Sequence, residues 1–247
     1  MIVLGLDPSL TAFGWALHDT SIPSGPGRCL AKGLSGTTND AVFVDRYIHQ
    51  REFLRTLLKT HRPDKVGIES SVFKSDYSEG MYGLFLYCNE ALRMEKVDVL
   101  YLSPGQAKAH ARESLKRPKG WKMDKPDMVE EAKRDTGIKR WNHNEADAYL
   151  IGRLAGRFWL LLEGVIDRST LTPVEAHQFA EIHKYVRGKK AGRVENRGLL
   201  YREEDRFFRW SELEDTNGSQ EVSAYTESAE FFGPNQGTNG NDQGSQG

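Results

Sequence analysis

Short apolar runs bounded by turn-forming residues recur along the first two-thirds of the chain. The first run stops at Asp7-Pro8-Ser9, and a second run follows closely enough to pair with it as a hairpin. A third run follows a segment rich in Pro and Gly, and a fourth places Val66 and Ile68 at alternate positions. This pattern predicts five β-strands, at residues 2–6, 13–18, 28–34, 65–69 and 97–102.

Apolar positions at helical spacing lie between and after these strands. Ser103-Pro104, for example, places a suitable N-cap directly before a proline in the first turn of a helix. The order β-β-β-α-β-α-β-α-α predicts an α/β fold with a mixed, five-stranded central sheet and helices on both faces. The predicted helices cover residues 41–60, 79–95, a segment starting at 104, 124–136 and 144–162, and a further one covers 173–186.

A change in composition divides the 247-residue chain. Residues 1–162 form the predicted folded domain, residues 163–213 form an extension with helix 173–186 and a basic cluster, and residues 214–247 predict a disordered, acidic, Gly/Asn/Gln-rich tail. The formal net charge of −1 is misleading, because all 34 basic residues lie before residue 211 and seven acids lie after it. Residues 1–210 therefore carry +6. The basic cluster comprises Lys184, Arg187, Lys189, Lys190, Arg193 and Arg197.

Several classes of protein are excluded by composition. Two cysteines, Cys29 and Cys88, are too few for a disulfide framework or a cysteine-based zinc site, and they favour a reducing compartment. No apolar run approaches the ~18 residues that indicate a membrane-spanning helix. The N-terminus lacks the basic start of a signal peptide. We therefore expect a cytoplasmic protein with no membrane partner.

Three carboxylates occupy positions that favour chemistry. Asp7 ends the first strand, Glu69 ends the fourth, and Asp147 lies near the start of an otherwise apolar helix. Each one alone is as readily a turn former or a helix-capping residue. If the first and fourth strands are neighbours, however, the three acids meet, and oxygen-only ligands then favour Mg²⁺ or Mn²⁺. Two such ions catalyse phosphodiester hydrolysis.

Three segments resemble the RuvC family of Holliday-junction resolvases. The opening motif of the family is similar to Gly5-Leu6-Asp7-Pro8-Ser9 followed by Gly14-Trp15. Its second acidic motif is similar to Val66-Gly67-Ile68-Glu69, and its final motif is similar to Ala146-Asp147-Ala148. The resemblance covers about residues 1–160. It implies an RNase H-like fold, two Mg²⁺ ions with Mn²⁺ as a substitute, and a homodimer that nicks opposed strands of branched DNA. We expect the protein in the cytoplasm of a bacterial cell or of a phage-infected host, the latter because of the extended tail and the departure at the fourth metal-binding position.

The resemblance assigns roles to individual residues. Asp7, Glu69 and Asp147 match three metal-binding positions, and the fourth position, usually Asp or His in the family, is Asn144 here. An amide oxygen can bind a metal without charge, the neighbouring His143 is an alternative ligand or proton carrier, and Asn144 is also a suitable helix N-cap. Lys108 and Lys125 resemble two catalytic lysines of the family, and the resemblance implies that they lie near the scissile phosphate.

A basic surface is expected around these lysines. The window 105–126 carries a net charge of +5, which favours contact with DNA phosphates over an ordinary solvated face. Trp121 lies within it, either stacking on a base or packing. Phe73 matches a family aromatic that wedges into the junction, and a buried core position is the alternative. The expected DNA-binding residues are Phe73, Arg112, Lys116, Arg117, Lys119 and Lys122.

The carboxylates predict an Mg²⁺-dependent phosphodiester hydrolase, and the resemblance implies that it is an endodeoxyribonuclease that resolves four-way or branched DNA by paired nicking. A flap or RNA–DNA hybrid nuclease of the same fold is one alternative, and a junction-binding protein that lost catalysis at Asn144 is another. Actin-like ATPases also open with a similar strand, but Pro8-Ser9-Leu10 replaces their phosphate loop, so no nucleotide cofactor is expected.

Overall fold

The computed structural model of the protein describes residues 1–70 and 79–180, with side chains at 1–70 and 80–179, and the backbone of four strands beyond residue 180. The five predicted strands are confirmed: β1 (Ile2–Asp7), β2 (Phe13–Asp19), β3 (Cys29–Ser35), β4 (Lys65–Glu69) and β5 (Asp98–Leu102). In the order β3-β2-β1-β4-β5, strands β1, β4 and β5 run parallel to one another and the two remaining pairs are antiparallel, which confirms the mixed sheet.

The extension adds strands that the sequence did not predict. Beside β5, β8 (Leu199–Tyr201) and then β9 (Phe207–Phe208) continue the sheet to seven strands, and β6 (His183–Val186) pairs with β7 (Arg193–Asn196) in a separate hairpin. The predicted helix 173–186 is therefore wrong beyond its first half. Tyr185 and Val186 are aromatic and β-branched residues, which favour strands over helices. The predicted domain boundaries remain predictions, and the acidic tail lies outside the described residues.

Helices cover both faces of the sheet, as predicted. They are α1 (Phe43–His61), α2 (Glu79–Met94), α3 (Pro104–Ser114), α4 (Lys125–Thr136), α5 (His143–Leu162) and the short α6 (Pro173–Ala180). One core packs α1 and α2 against alternate strand residues such as Leu4, Leu6 and Ile68. The other packs α3, α4 and α5 against the opposite face. No helix in the described part of the chain is long and apolar enough to span a membrane.

Helix α5 lies unusually close to the sheet because three glycines face it. A Cβ atom at Gly5 would lie 1.9 Å from the carbonyl oxygen of Ala148, and one at Gly14 would lie 2.2 Å from that of Asn144. A Cβ atom at Gly67 would lie 2.5 Å from the side chain of Ala155. The backbone of α5 thus crosses β2, β1 and β4 at contact distance, which places its first turns over the carboxyl ends of β1 and β4.

A buried ionic network ties α5 to α4. Arg153 of α5 donates to Glu131 at 2.6 Å and lies 3.3 Å from Asp135, and Asp135 also accepts a hydrogen bond from Tyr149 at 2.5 Å. Each of these side chains except that of Tyr149 is charged, and the ion pairs satisfy charges that burial would otherwise destabilise. A second cluster joins α6 to α3, where Glu175 pairs with His110 at 3.1 Å. These contacts fix the helices that carry the candidate site.

Candidate active site

Asp7 and Glu69 lie side by side at the ends of parallel strands. Leu6 pairs with Ile68 in the β1–β4 register, and each acid is the next residue on its strand. Neighbouring strands are about 4.8 Å apart, and side chains alternate between the faces of a sheet. Because Leu6 and Ile68 both pack in the α1–α2 core, the two carboxylates lie on the α5 face. The predicted adjacency of the first and fourth strands is therefore confirmed.

Asp147 joins this pair from the first turns of α5. The helix begins at His143, and its N-cap is Asn142, whose side chain accepts from the backbone N–H of Asn144 at 2.9 Å. Glu145 completes a capping box by accepting from the backbone N–H of Asn142. The interpretation of Asn144 as N-cap is thus wrong, because the helix starts one residue earlier and the cap lies two residues earlier.

The three carboxylates share one electrostatic environment. Burial raises the pKa of Asp7 well above its usual value, and the charges of Glu69 and Asp147 raise it further. Burial and the neighbouring Asp147 raise the pKa of Glu69 to about 7. Burial likewise raises the pKa of Asp147 to about 6, against the lowering effect of Lys108 and Lys125. All three acids are partly buried with raised pKa values, and neighbouring carboxylates contribute to the shifts of Asp7 and Glu69; such a group is typical of a functional site that needs a positive partner.

The donor set fits a hard divalent cation. The Oδ1 atom of Asp147 is buried and accepts no hydrogen bond, and its two neighbouring acids offer only oxygen ligands. Carboxylate oxygens are the ligands of Mg²⁺ and Mn²⁺. Within the described ranges, however, no group of three or more His, Cys, Asp or Glu side chains is arranged so that it could hold a metal ion. The three carboxylates are therefore coupled electrostatically but are not assembled as a metal site.

Asn144 and His143 point to different partners. The Nδ2 atom of Asn144 donates to the carbonyl oxygen of Ala12 at 2.6 Å, so the amide is anchored to the loop that follows Asp7. Its donor is thereby used, and the amide oxygen is the atom that remains for a ligand. His143 instead lies 3.0 Å from the ammonium of Lys125, through its Nε2 atom. Burial and the charge of Lys125 lower the pKa of His143, so its neutral ring can accept that hydrogen bond.

Lys108 and Lys125 both act on the carboxylates through their charge. Lys108 lies exposed on α3, and Lys125 is the exposed first residue of α4. Both lower the pKa of Asp7 and of Asp147, and Lys108 also lowers that of Glu69. The structure thus brings together the charges of five predicted catalytic residues, namely Asp7, Glu69, Asp147, Lys108 and Lys125. Of the other two, Asn144 is held by the carbonyl oxygen of Ala12 and His143 lies against Lys125.

The loop that joins α3 to α4, residues 115–124, is termed the basic loop. Its cations Lys116, Lys119 and Lys122 are exposed, and Arg112 is half-buried on α3 just before it. Arg117 differs, because its guanidinium pairs with Glu130 at 2.9 Å and with Asp127 at 3.4 Å. The predicted basic surface therefore consists mainly of the three loop lysines.

Sequence reasoning missed two exposed cations that precede α5, Lys139 and Arg140. Adjacent basic residues directly before the Asn142 cap were a signal that could have identified them. Phe73 and the basic cluster of 184–197 are, by contrast, not testable from side-chain positions, because their side chains lie outside the described residues. A cavity of about 700 Å³ is found at the amino ends of β4 and β5, beside Lys65 and Asp98, away from the carboxylates.

The comparison with solved structures supports the predicted fold. The chain is similar to Thermus thermophilus RuvC, with 20% sequence identity and a TM-score of 0.52 over 66% of this chain and 97% of that one. T. thermophilus RuvC in complex with Holliday junction substrate matches over the same shares, with 19% identity and a TM-score of 0.51. The fowlpox virus Holliday junction resolvase matches with 14% identity and a TM-score of 0.39, over 64% of this chain and 99% of that one.

No protein-family model and no curated protein sequence matches the chain. At identities near 20%, the structural likeness establishes the fold and not the activity. The protein has the RuvC-like, RNase H-like α/β fold that its motifs predicted.

Proposed function

We propose that this protein is a divalent-metal-dependent endonuclease that resolves four-way or similarly branched DNA by paired nicking. The observation that carries the proposal is the convergence of Asp7, Glu69 and Asp147 from three separate elements into one partly buried group, in which neighbouring carboxylates raise the pKa of Asp7 and of Glu69. Such a group is costly for a fold to maintain without a cationic partner. Its location on a RuvC-like fold, beside exposed lysines, favours nucleic acid as the substrate.

Asp7, Glu69 and Asp147 would hold two Mg²⁺ ions, or Mn²⁺ in their place, with the amide oxygen of Asn144 in support. When bound, such ions activate a water for attack on phosphorus and stabilise the leaving oxygen. The carboxylates then remain ionised, because a cation offsets the repulsion that raises their pKa. The Ala12 carbonyl keeps the Asn144 amide in one orientation.

The lysines have a separate role in the proposal. Lys108 and Lys125 would contact the scissile phosphate and would stabilise the charge that builds on it during transfer. His143 accepts a hydrogen bond from Lys125 and holds the ammonium on this side of α4. Lys116, Lys119, Lys122 and Arg112 would contact the phosphates of a duplex arm, which supports recognition by backbone shape rather than by base sequence.

A homodimer is part of the proposal, because paired nicking needs two sites. Large apolar side chains are exposed at the start of α1 and along α2, with Phe43 at 54% and Leu86 at 48% exposure. A contiguous exposed apolar surface typically marks a protein interface. The exposed apolar residues at this surface are Val42, Phe43, Val44, Ile48, Tyr82 and Leu86.

A cytoplasmic location is also part of the proposal. The two cysteines, Cys29 and Cys88, are free and buried, as is typical of a protein in a reducing compartment.

Cleavage assays test this proposal. The full-length protein should nick a four-way junction in Mg²⁺ or Mn²⁺, and Asp7→Asn should abolish nicking while junction binding persists. Linear duplex, a flap and an RNA–DNA hybrid serve as competing substrates. Equal cutting of linear duplex would exclude a resolvase. Preferential cutting of the flap or the hybrid would identify a different nuclease of the same fold, and binding without cutting in either metal would identify a junction-binding protein.

A further inference from the structure

Trp121 is a large aromatic residue that the protein leaves on its surface. The side chain is 46% exposed, and it belongs to neither hydrophobic core. It lies in the basic loop between α3 and α4, next to Gly120, where an added Cβ atom would meet nothing within 4 Å. An exposed tryptophan that contributes little to the core has an unfavourable solvation energy, which binding of an apolar partner would relieve.

The indole ring is nevertheless held in a defined position. Its Nε1 atom donates to the carboxylate of Asp127 at 3.0 Å, and its backbone N–H donates to the carbonyl oxygen of Pro118 at 3.0 Å. The guanidinium of Arg117 lies 5.3 Å from the ring centroid and is itself fixed by Asp127 and Glu130. A preorganised aromatic surface loses little conformational freedom when a ligand stacks on it.

The same contacts link the ring to the candidate active site. Asp127 accepts from Trp121 and also forms the capping box that starts α4, in which Asp124 accepts from the backbone N–H of Asp127. The first residue of that helix is Lys125, which acts on the charge of Asp7 and Asp147. The ring thus contacts the capping box whose helix begins with Lys125, a lysine of the candidate site, and it lies on the loop that carries Lys119 and Lys122.

We propose that Trp121 is a stacking platform for an unpaired base at the branch point of the DNA substrate. The proposal rests on the proposed function and adds a residue that selects the substrate. Aromatic rings stack on any base because each base has a π face, and the adjacent Arg117 cation adds to the attraction. Base faces are covered in a continuous duplex and become accessible where strands separate. The ring would therefore distinguish branched or single-stranded DNA from linear duplex.

Binding measured by fluorescence anisotropy tests this role. Full-length protein carrying Asp7→Asn, which leaves DNA uncut, is compared with the same protein carrying in addition Trp121→Ala, Trp121→Phe or Lys119→Ala. The probes are a four-way junction, a single strand and a linear duplex of matched length. We expect Trp121→Ala to weaken junction and single-strand binding about 5- to 100-fold and to leave duplex binding nearly unchanged. Trp121→Phe keeps a ring and should retain most of the affinity.

The Lys119→Ala control removes charge without touching the ring. It should weaken all three DNAs by a similar factor and lower the salt dependence of binding by about one phosphate contact, whereas Trp121→Ala should leave that salt dependence unchanged. Equal weakening of all three DNAs by Trp121→Ala, or no weakening at all, would overturn the stacking role. If the protein with Trp121 intact binds the junction no more tightly than the duplex, the result contradicts the proposed function and not the stacking role. The effect of Trp121→Ala on single-strand binding then decides whether Trp121 stacks on bases.

Two further readouts separate stacking from damage to the fold. A 2-aminopurine base at the crossover should be quenched on binding when Trp121 is present and not in Trp121→Ala. Thermal unfolding of Trp121→Ala should lie only slightly below that of the unaltered protein, because the ring lies outside both cores and its removal takes away only its contacts with Asp127 and Arg117. Quenching that persists in Trp121→Ala contradicts the proposal.

Discussion

The close crossing of α5 over β1 leads to a quantitative prediction for Gly5→Ala. The added methyl group would lie 1.9 Å from the carbonyl oxygen of Ala148, 2.6 Å from the backbone nitrogen of Gly152 and 2.9 Å from its Cα atom. All three are backbone atoms, so no side-chain rotation relieves the overlap. Ordinary contact begins near 3.4 Å. The helix and the strand must therefore separate by about 1.5 Å at this point.

This separation has consequences for stability and for the site. Overpacking of a core typically costs up to about 3 kcal/mol, which corresponds to a fall of about 6–12 °C in the unfolding temperature of a protein of this size. Asp7 is two residues from the altered position and Asp147 is one residue from Ala148. A misplacement of about 1 Å between reacting groups can lower a rate on the order of 100-fold. We expect cleavage to fall by at least that factor at temperatures where the variant is folded.

Thermal unfolding and junction nicking below the unfolding temperature measure the two effects. Gly105→Ala is the matched control, because the nearest atom to its added methyl group would be Ser103 Oγ at 3.9 Å. That variant should unfold at the same temperature as the wild type or slightly higher, since alanine favours a helix over glycine. If Gly5→Ala unfolds and cleaves like Gly105→Ala, the argument that α5 positions Asp147 through this crossing is refuted.

Three further predictions concern charge. Folding raises the pKa of Glu69 to about 7, so the folded protein binds the Glu69 proton more tightly than the unfolded chain does. Without divalent ions, Glu69→Gln should therefore increase the free energy of unfolding at pH 8 and not at pH 4. A difference in urea unfolding that does not change with pH would contradict this prediction. In the same assay, Arg153→Ala should lower the free energy of unfolding by about 3–5 kcal/mol, because it leaves the buried charge of Glu131 without this partner. Arg134→Ala removes an exposed cation from the same Glu131 and should lower the free energy of unfolding by under about 1 kcal/mol. Equal losses in the two variants would contradict a stabilising role of the buried network. Lys125→Ala should slow single-turnover cleavage about 100-fold with a much smaller loss of binding, and the reverse ranking would remove its assigned role.

Much of the α/β core was predictable because its patterns are local. The strand β1 and its stop at Asp7, and the Ser103 start of α3, follow from alternation and capping chemistry that involve neighbouring residues only. The two acids at strand ends could be paired because a parallel register follows from strand order. The strands β8 and β9 were missed because their pairing depends on a distant partner, β5, and short strands carry little periodic signal.

Details of the site were harder to predict because they depend on contacts between distant segments. The anchoring of Asn144 to Ala12 joins residues 132 positions apart, and the hydrogen bond between Lys125 and His143 joins two helix starts. Helix α5 lies close to the sheet because Gly5 and Gly67 have no side chain there. Both glycines belong to the motifs, but their role in packing is visible only in the folded structure. Sequence could identify which residues take part and not which atoms remain for a ligand.

Calorimetric titration with Mn²⁺ tests the central claim most directly, because it measures whether the three carboxylates share cations independently of any DNA. The wild type is compared with Asp7→Asn, Glu69→Gln and Asp147→Asn, each confirmed as folded by circular dichroism. Binding in the wild type should strengthen as pH rises from 6 to 8, since protons compete with the metal for these groups, and it should be lost or greatly weakened in all three variants. Mn²⁺ binding of the same strength and stoichiometry in all four proteins would contradict a shared metal site.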